Sequence, residues 1–163
     1  MEKQLWDWTE TNMIRLLTLL ARASYDSLNI ALKTSGLQMI DTLLEQYEHS
    51  CLTRKATLSL LSSILRWSNS FTPPFFENHF PIILEHVSQL LQTEGQPLAF
   101  EILSYAFVFV ISRGDSDRMD LLRDFVVEVD IIDSIHSYTS MHNLGPITTS
   151  NIEYLSYSIE QLL

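Results

Sequence analysis

A chain of 163 residues with 20 acids, 10 bases and a net charge of −10 is long enough for one domain whose core needs neither disulfides nor metals. Four glycines and five prolines are too few for the tight turns of an all-β protein, and 46% hydrophobic against 18% charged residues excludes a disordered chain. Cys51 stands alone, so no internal disulfide framework exists and the chain reads as intracellular, cytoplasmic or nuclear.

In chain order, the pattern predicts one helix after another. The first runs from about Thr9 to Ala23, with Met13, Leu16, Leu17, Leu19 and Leu20 inward, and Trp6 and Trp8 fold back as an end cap. A short helix over Tyr25–Thr34 stops at Gly36, where a left-handed residue belongs. Leu37–Tyr47 places Leu37, Ile40, Leu43, Leu44 and Tyr47 on one face, and Thr53–Trp67 buries Ala56, Leu60, Leu61, Ile64 and Leu65. Pro73 and Pro74 open an aromatic turn, and Pro81 sits in the first turn of a helix carrying Ile83, Leu84, Val87, Leu90 and Leu91. The aromatic run from Phe71 to Phe80 reads as core beneath these prolines, with a partner pocket as the alternative.

Pro97–Ser112 is the stretch around which the rest is organised. Its polar stripe is narrow (Glu101, Ser104, Tyr105, Val108 and Ser112), and every other residue between Leu98 and Ile111 is apolar. Such a helix must be walled in by neighbours or by a membrane. It is too short to span a bilayer, which needs roughly 20 residues. Gly114 ends it, Asp115-Ser116-Asp117 caps the next helix with Met119, Leu121, Leu122 and Phe125, and Val129–Tyr138 turns Ile132 and Ile135 inward. After a connection through Asn143 and Gly145-Pro146, a last helix over Thr149–Leu163 buries Ile152, Leu155, Ile159 and Leu162. Every Gly and Pro falls at a predicted junction, which makes the chain all-α.

The triplets Leu61-Ser62-Ser63, Leu103-Ser104-Tyr105 and Leu155-Ser156-Tyr157 recur at intervals of 42 and 52 residues. The apolar ends Leu43-Leu44, Leu90-Leu91 and Ile135 recur at 47 and 45. Such periods mark helical solenoids, whose units stack because none can bury its faces alone. Within Leu19–Leu44, Gly36-Leu37 followed by Ile40-x-x-Leu43-Leu44 resembles an armadillo repeat, and Ala56 with Leu60-Leu61 resembles the long helix that follows it. Only the first unit carries the glycine; the later units place the region around Phe80-Pro81 and around Glu128-Val129 there. The expectation is a single domain over residues 1–163, complete or cut from a larger protein. Its fold is an all-α, right-handed solenoid of three to four armadillo/HEAT-like repeats.

Reactive chemistry finds little support. His79 and His86 lie seven apart and His136 and His142 six apart, off the i, i+4 spacing that sets two imidazoles on one helical face, so no metal site is expected. Cys51 has His49 nearby but no orienting acid, Asp133, Ser134 and His136 point in different directions on one helix, and no two glycines come closer than 19 residues to cradle a phosphate. No catalysis and no cofactor is expected.

Charge points to binding. Residues 1–66 balance seven acids with seven bases, whereas residues 67–163 hold thirteen acids against Arg113, Arg118 and Arg123. This repels phosphate backbones and attracts a basic protein segment. The armadillo resemblance implies a groove lined by the third helix of each unit, which here exposes Gln38, Asp41, Glu45, Glu85, Gln89, Asp130 and Asp133 without one Lys or Arg. A plainly solvated polar face accounts for the same residues. The W-x-x-x-N ladder of nuclear-import receptors is missing, since only Trp8 has an Asn four residues on, once and at a chain end. The final helix offers a second surface: it stops in mid-stripe, leaving Tyr154, Tyr157 and Leu163 to meet more chain, a second copy or a partner's amphipathic helix. The functional expectation is therefore a non-catalytic adaptor or scaffold that binds a short peptide or helix of a partner protein. An assembly segment of a larger helical-repeat scaffold and a homo-oligomerisation module remain as alternatives.

Overall fold

The computed structural model describes residues 12–19, 22–24, 26–27, 30, 42, 51–66, 72–93 and 96–163, with side chains omitted at 51–53, 66 and 72–76. The described residues are helical with short connections and contain no strand. The helices are α1 (12–19), α2 (Cys51–Arg66), α3 (Thr72–Leu91), α4 (Gln96–Arg113), α5 (Ser116–Glu128), α6 (Ile131–Met141) and α7 (Pro146–Leu162). The chain divides into two compact units, Met1–His86 and Val87–Leu163, the division falling within α3. Among the described residues, no helix is long and apolar enough to cross a membrane.

In the first unit α2 is enclosed more completely than one apolar stripe requires. Ala56, Leu58, Leu60, Leu61, Ile64 and Leu65 are buried, and so are Thr57, Ser62 and Ser63. Short hydroxyl side chains tolerate this because helix carbonyls can satisfy them. Ser63 donates to Ser59 O at 2.8 Å, while Arg22 straps across α2 through Nε to Ser63 Oγ and Nη2 to Ser59 Oγ, both at 3.3 Å. α1 departs from its expected face: Ile14 and Thr18 are buried, whereas Met13, Leu16 and Leu19 are exposed. The i, i+4 pair sets the inward face, and Thr18 can enter it because its hydroxyl donates to Ile14 O at 2.8 Å. The expected end cap by Trp6 and Trp8, the stop at Gly36 and the stripe from Leu37 to Tyr47 lie outside the described residues.

α3 corrects a second expectation. Pro73 and Pro74 stand at the start of a 20-residue helix, and Pro81 lies inside it. Prolines in a first turn cost no hydrogen bond, because those N–H groups have no intrahelical partner. Pro81 does forfeit one, at a cost of about 3 kcal/mol in a helix interior. The buried Phe80, Ile83, Leu84, Val87, Leu90 and Leu91 offset it, since each such side chain contributes about 1.5–3 kcal/mol. The side chains of Phe75 and Phe76 lie outside the described set, but Phe80 is core.

The second unit is built on α4. Ala99, Phe100, Ile102, Leu103, Ser104, Ala106, Phe107 and Val110 are buried, which covers most of the helix circumference. α4 packs against α7 and α5, and α5 packs against both α6 and α7. α7 contributes Ile152, Leu155, Ser158, Ile159 and Leu162, α5 contributes Leu122, Phe125 and Val126, and α6 contributes Ile131 and Ile135. The Phe100 and Tyr138 rings meet edge-on at 5.6 Å, tying α4 to α6.

Ser104, expected on the polar stripe, is buried where α4 meets α7. Its hydroxyl lies 2.8 Å from Phe100 O and 3.1 Å from Asn151 O, so both acceptors are backbone. The outward side of α4 shifts accordingly to Val108, Ile111 and Ser112. The recurring Leu-Ser pairs share one feature: each leucine (Leu61, Leu103, Leu155) is buried within a helix.

The joints follow local chemistry. Gly114 adopts φ 62° to end α4, and the next residue, Asp115, accepts from Arg118 N at 3.1 Å to start α5. α6 begins at Ile131 rather than Val129, because Asp130 caps it in the left-handed region at φ 48°. That start turns Ile131 and Ile135 inward and leaves Ile132 exposed. Likewise α5 buries Leu122 with Phe125 and Val126 and exposes Leu121. Gly145 and Pro146 open α7, three residues earlier than Thr149.

Candidate interaction surfaces

The proposed groove residues fall in different settings. Gln38, Asp41 and Glu45 lie outside the described residues. Glu85 is exposed and Gln89 half-buried on α3. Asp130 and Asp133 do come together, with Asp133 N donating to Asp130 Oδ1 at 3.4 Å. They serve α6: one acid caps the N-terminus and the other stands in its first turn, where the helix dipole favours negative charge. Their position is thus accounted for without a ligand.

The end formed by α7 has a clearer outward face. Ser150, Glu153, Tyr154, Tyr157, Glu160 and Gln161 repeat at i, i+3, i+4, i+7, i+10 and i+11, opposite the buried Ile152, Leu155, Ile159 and Leu162. Tyr157 is 61% exposed and Leu163 63%, with Tyr154 partly covered. The end of α7 is tied to α5, where Arg123 donates through Nε to Leu162 O at 3.2 Å. A cation at a helix C-terminus also suits the dipole.

A third face went unremarked in the sequence. α5 turns Asp117, Asp120, Leu121, Asp124, Val127 and Glu128 outward, and Val127 is 67% exposed. Asp120 pairs with Arg123. Asp117, Asp124 and Glu128 have no cationic partner among the described residues. Asp124 and Glu128 stand one turn apart, and like charges at that spacing destabilise a helix by about 0.2–0.5 kcal/mol. The signal was present as acids at 117, 120, 124 and 128, hidden because Leu121 was assigned to the core.

The Val87–Leu163 unit carries eleven acids, three arginines and no lysine. All three arginines are engaged within the chain. Arg113 lies 4.7 Å above the Phe109 ring, Arg118 pairs with Asp115, and Arg123 joins Asp120 to the end of α7. Hydrogen bonds from the Arg118 backbone and side chain hold the Asp115 carboxyl below the usual carboxylate range.

Among the described residues, no three His, Cys, Asp or Glu side chains converge to hold a metal ion. His86 is buried, His79 half-buried, and His136 and His142 exposed; the Cys51 side chain lies outside the described set. His142 stacks on Tyr138 at 4.3 Å, and its Nδ1 meets Tyr138 O at 3.1 Å, which closes the end of α6. Comparison with protein-family models, curated proteins and solved structures finds no match for this chain.

Proposed function

We propose that this chain is a non-catalytic interaction module that holds a short segment of a partner protein inside the cell. The observation that carries the reading is the outward face of α7, where Tyr154 and Tyr157 stand exposed on a helix whose opposite face is core, with Leu163 exposed just past the helix end. Tyrosine supplies a large apolar contact and a polar tip at low conformational cost, so it is enriched in protein interfaces. In this reading the helices stack as a right-handed armadillo/HEAT-like solenoid of three to four units, and the acids of its groove favour a partner bearing Lys or Arg. The lone Cys51 and the acidic balance fit that setting.

A second reading, an assembly segment or self-association, draws on α4. Val108 and Ile111 are exposed on a helix otherwise given over to core. Affinity capture from cell extract separates these readings when wild type is compared with two variants. Loss of a captured protein with Tyr157→Asp, indifferent to salt, supports the α7 face. Salt-sensitive loss with the triple change Asp41→Asn, Glu45→Gln and Asp133→Asn supports the groove. Recovery of self alone, with a dimer mass abolished by Val108→Asp, supports assembly. Capture unchanged by all of these variants contradicts the proposal.

A further inference from the structure

We infer that the outward face of α5 is a docking surface for a Lys- or Arg-rich helix of a partner protein, with apolar side chains beside its basic stripe. This rests on reading the chain as an interaction module, but it uses a different face from α7. The acids Asp117, Asp120, Asp124 and Glu128 form a column at i, i+3, i+7 and i+11, rimmed by Leu121 on one side and Val127 on the other. The flanking arginines neutralise one acid of the column, Asp120, and leave the other three. Arg118 is held by Asp115, while Arg123 is shared between Asp120 and Leu162 O. That leaves Asp117, Asp124 and Glu128 without a cation among the described residues.

Charge complementarity selects a basic occupant, and the spacing selects a helix. The column spans about 16 Å and repeats with the turn of α5, roughly every 5.4 Å. Bases at i, i+3 or i+4, and i+7 of a second helix keep that step. Same-face side chains of an extended strand repeat at about 6.6 Å and drift out of register along the column. Nucleic acid and anionic membranes are repelled by the same carboxylates. Leu121 and Val127 give the contact an apolar component, so the site asks for more than a run of positive charge.

The test titrates the full chain with a synthetic helical peptide bearing a Lys stripe flanked by leucines. Its controls carry Glu for Lys, or Ser for Leu. The Lys/Leu peptide is expected to bind, more weakly as salt rises, and both control peptides to bind less. The double variant Asp124→Lys/Glu128→Lys should lose roughly tenfold or more in affinity, as charge reversal at a contact does. Its melting temperature should change little, because one like-charge pair at i, i+4 is exchanged for another and cations near the end of α5 suit the helix dipole. Glu153→Lys/Glu160→Lys changes the net charge equally on α7 and should leave binding within about threefold through screening of remote charges. Tyr157→Asp should also leave this peptide's binding unchanged, so failure of the α7 reading and failure of this one are told apart. Equal loss in both double variants, or full retention in the α5 variant, overturns the inference.

Discussion

Asp115 shows how much one residue can settle. It follows the glycine that ends α4, accepts from Arg118 N and pairs with the same arginine's guanidinium, so one side chain turns the chain and starts α5. Its carboxyl is held below the ordinary value, so its contribution is present above the unfolded-state pKa and is lost as pH falls through the lowered folded-state pKa. Unfolding titrations should therefore show Asp115→Asn flattening the acid limb of the stability profile below about pH 4, with little change in slope near neutrality. Ser104 argues the opposite case. Its place in a repeated triplet was visible, but period alone assigned it to the polar stripe, since no local rule announces that an α7 carbonyl will pass within 3.1 Å. The close approach makes size decisive. Ser104→Leu should cost about 1–3 kcal/mol in urea unfolding, the usual range for overpacking a core, and Ser104→Ala distinctly less.

Helices were legible where pattern and punctuation agree. Cys51–Arg66, Gln96–Arg113 and Ser116–Glu128 coincide within a few residues with the expected stretches; Pro97 and Gly114 act through backbone geometry and Asp115 through a side-chain cap on the helix it starts, all of them local effects. Faces were less legible than spans. Leu121, Ile132, Met13 and Leu16 are apolar yet exposed, since which flank of an amphipathic helix is covered depends on the neighbour and not on the helix. α3 was misread for a related reason: prolines mark boundaries in general, but a strong apolar face carries a helix past Pro81. At this scale Phe107→Ala should destabilise the fold by about 3–5 kcal/mol, measured by chemical denaturation, as expected for emptying a fully buried aromatic site. A loss below about 1 kcal/mol would place that side chain outside the core.

For the whole molecule, the all-helical class was legible because it needs only periodicity and the scarcity of Gly and Pro. The candidate surfaces were legible in part. Tyr154 and Tyr157 lie opposite a visible apolar stripe on α7 and Leu163 just past its end, whereas the column on α5 emerges only once Leu121 is known to face outward. Arg123 compensates only Asp120 among these acids, and its second contact, to Leu162 O on α7, is one that only the fold reveals. The account places function on the outward faces of helices that α4 holds together, with the core serving only to present them. The most direct test puts a photo-crosslinking residue at Val127, at Tyr157 and, as a control on the exposed side of α6, at Thr139, each in the full chain in cell extract. The account predicts discrete adducts with a partner protein from Val127 or Tyr157 and none from Thr139. Adducts of the same pattern from all three positions, or from Thr139 alone, would contradict it.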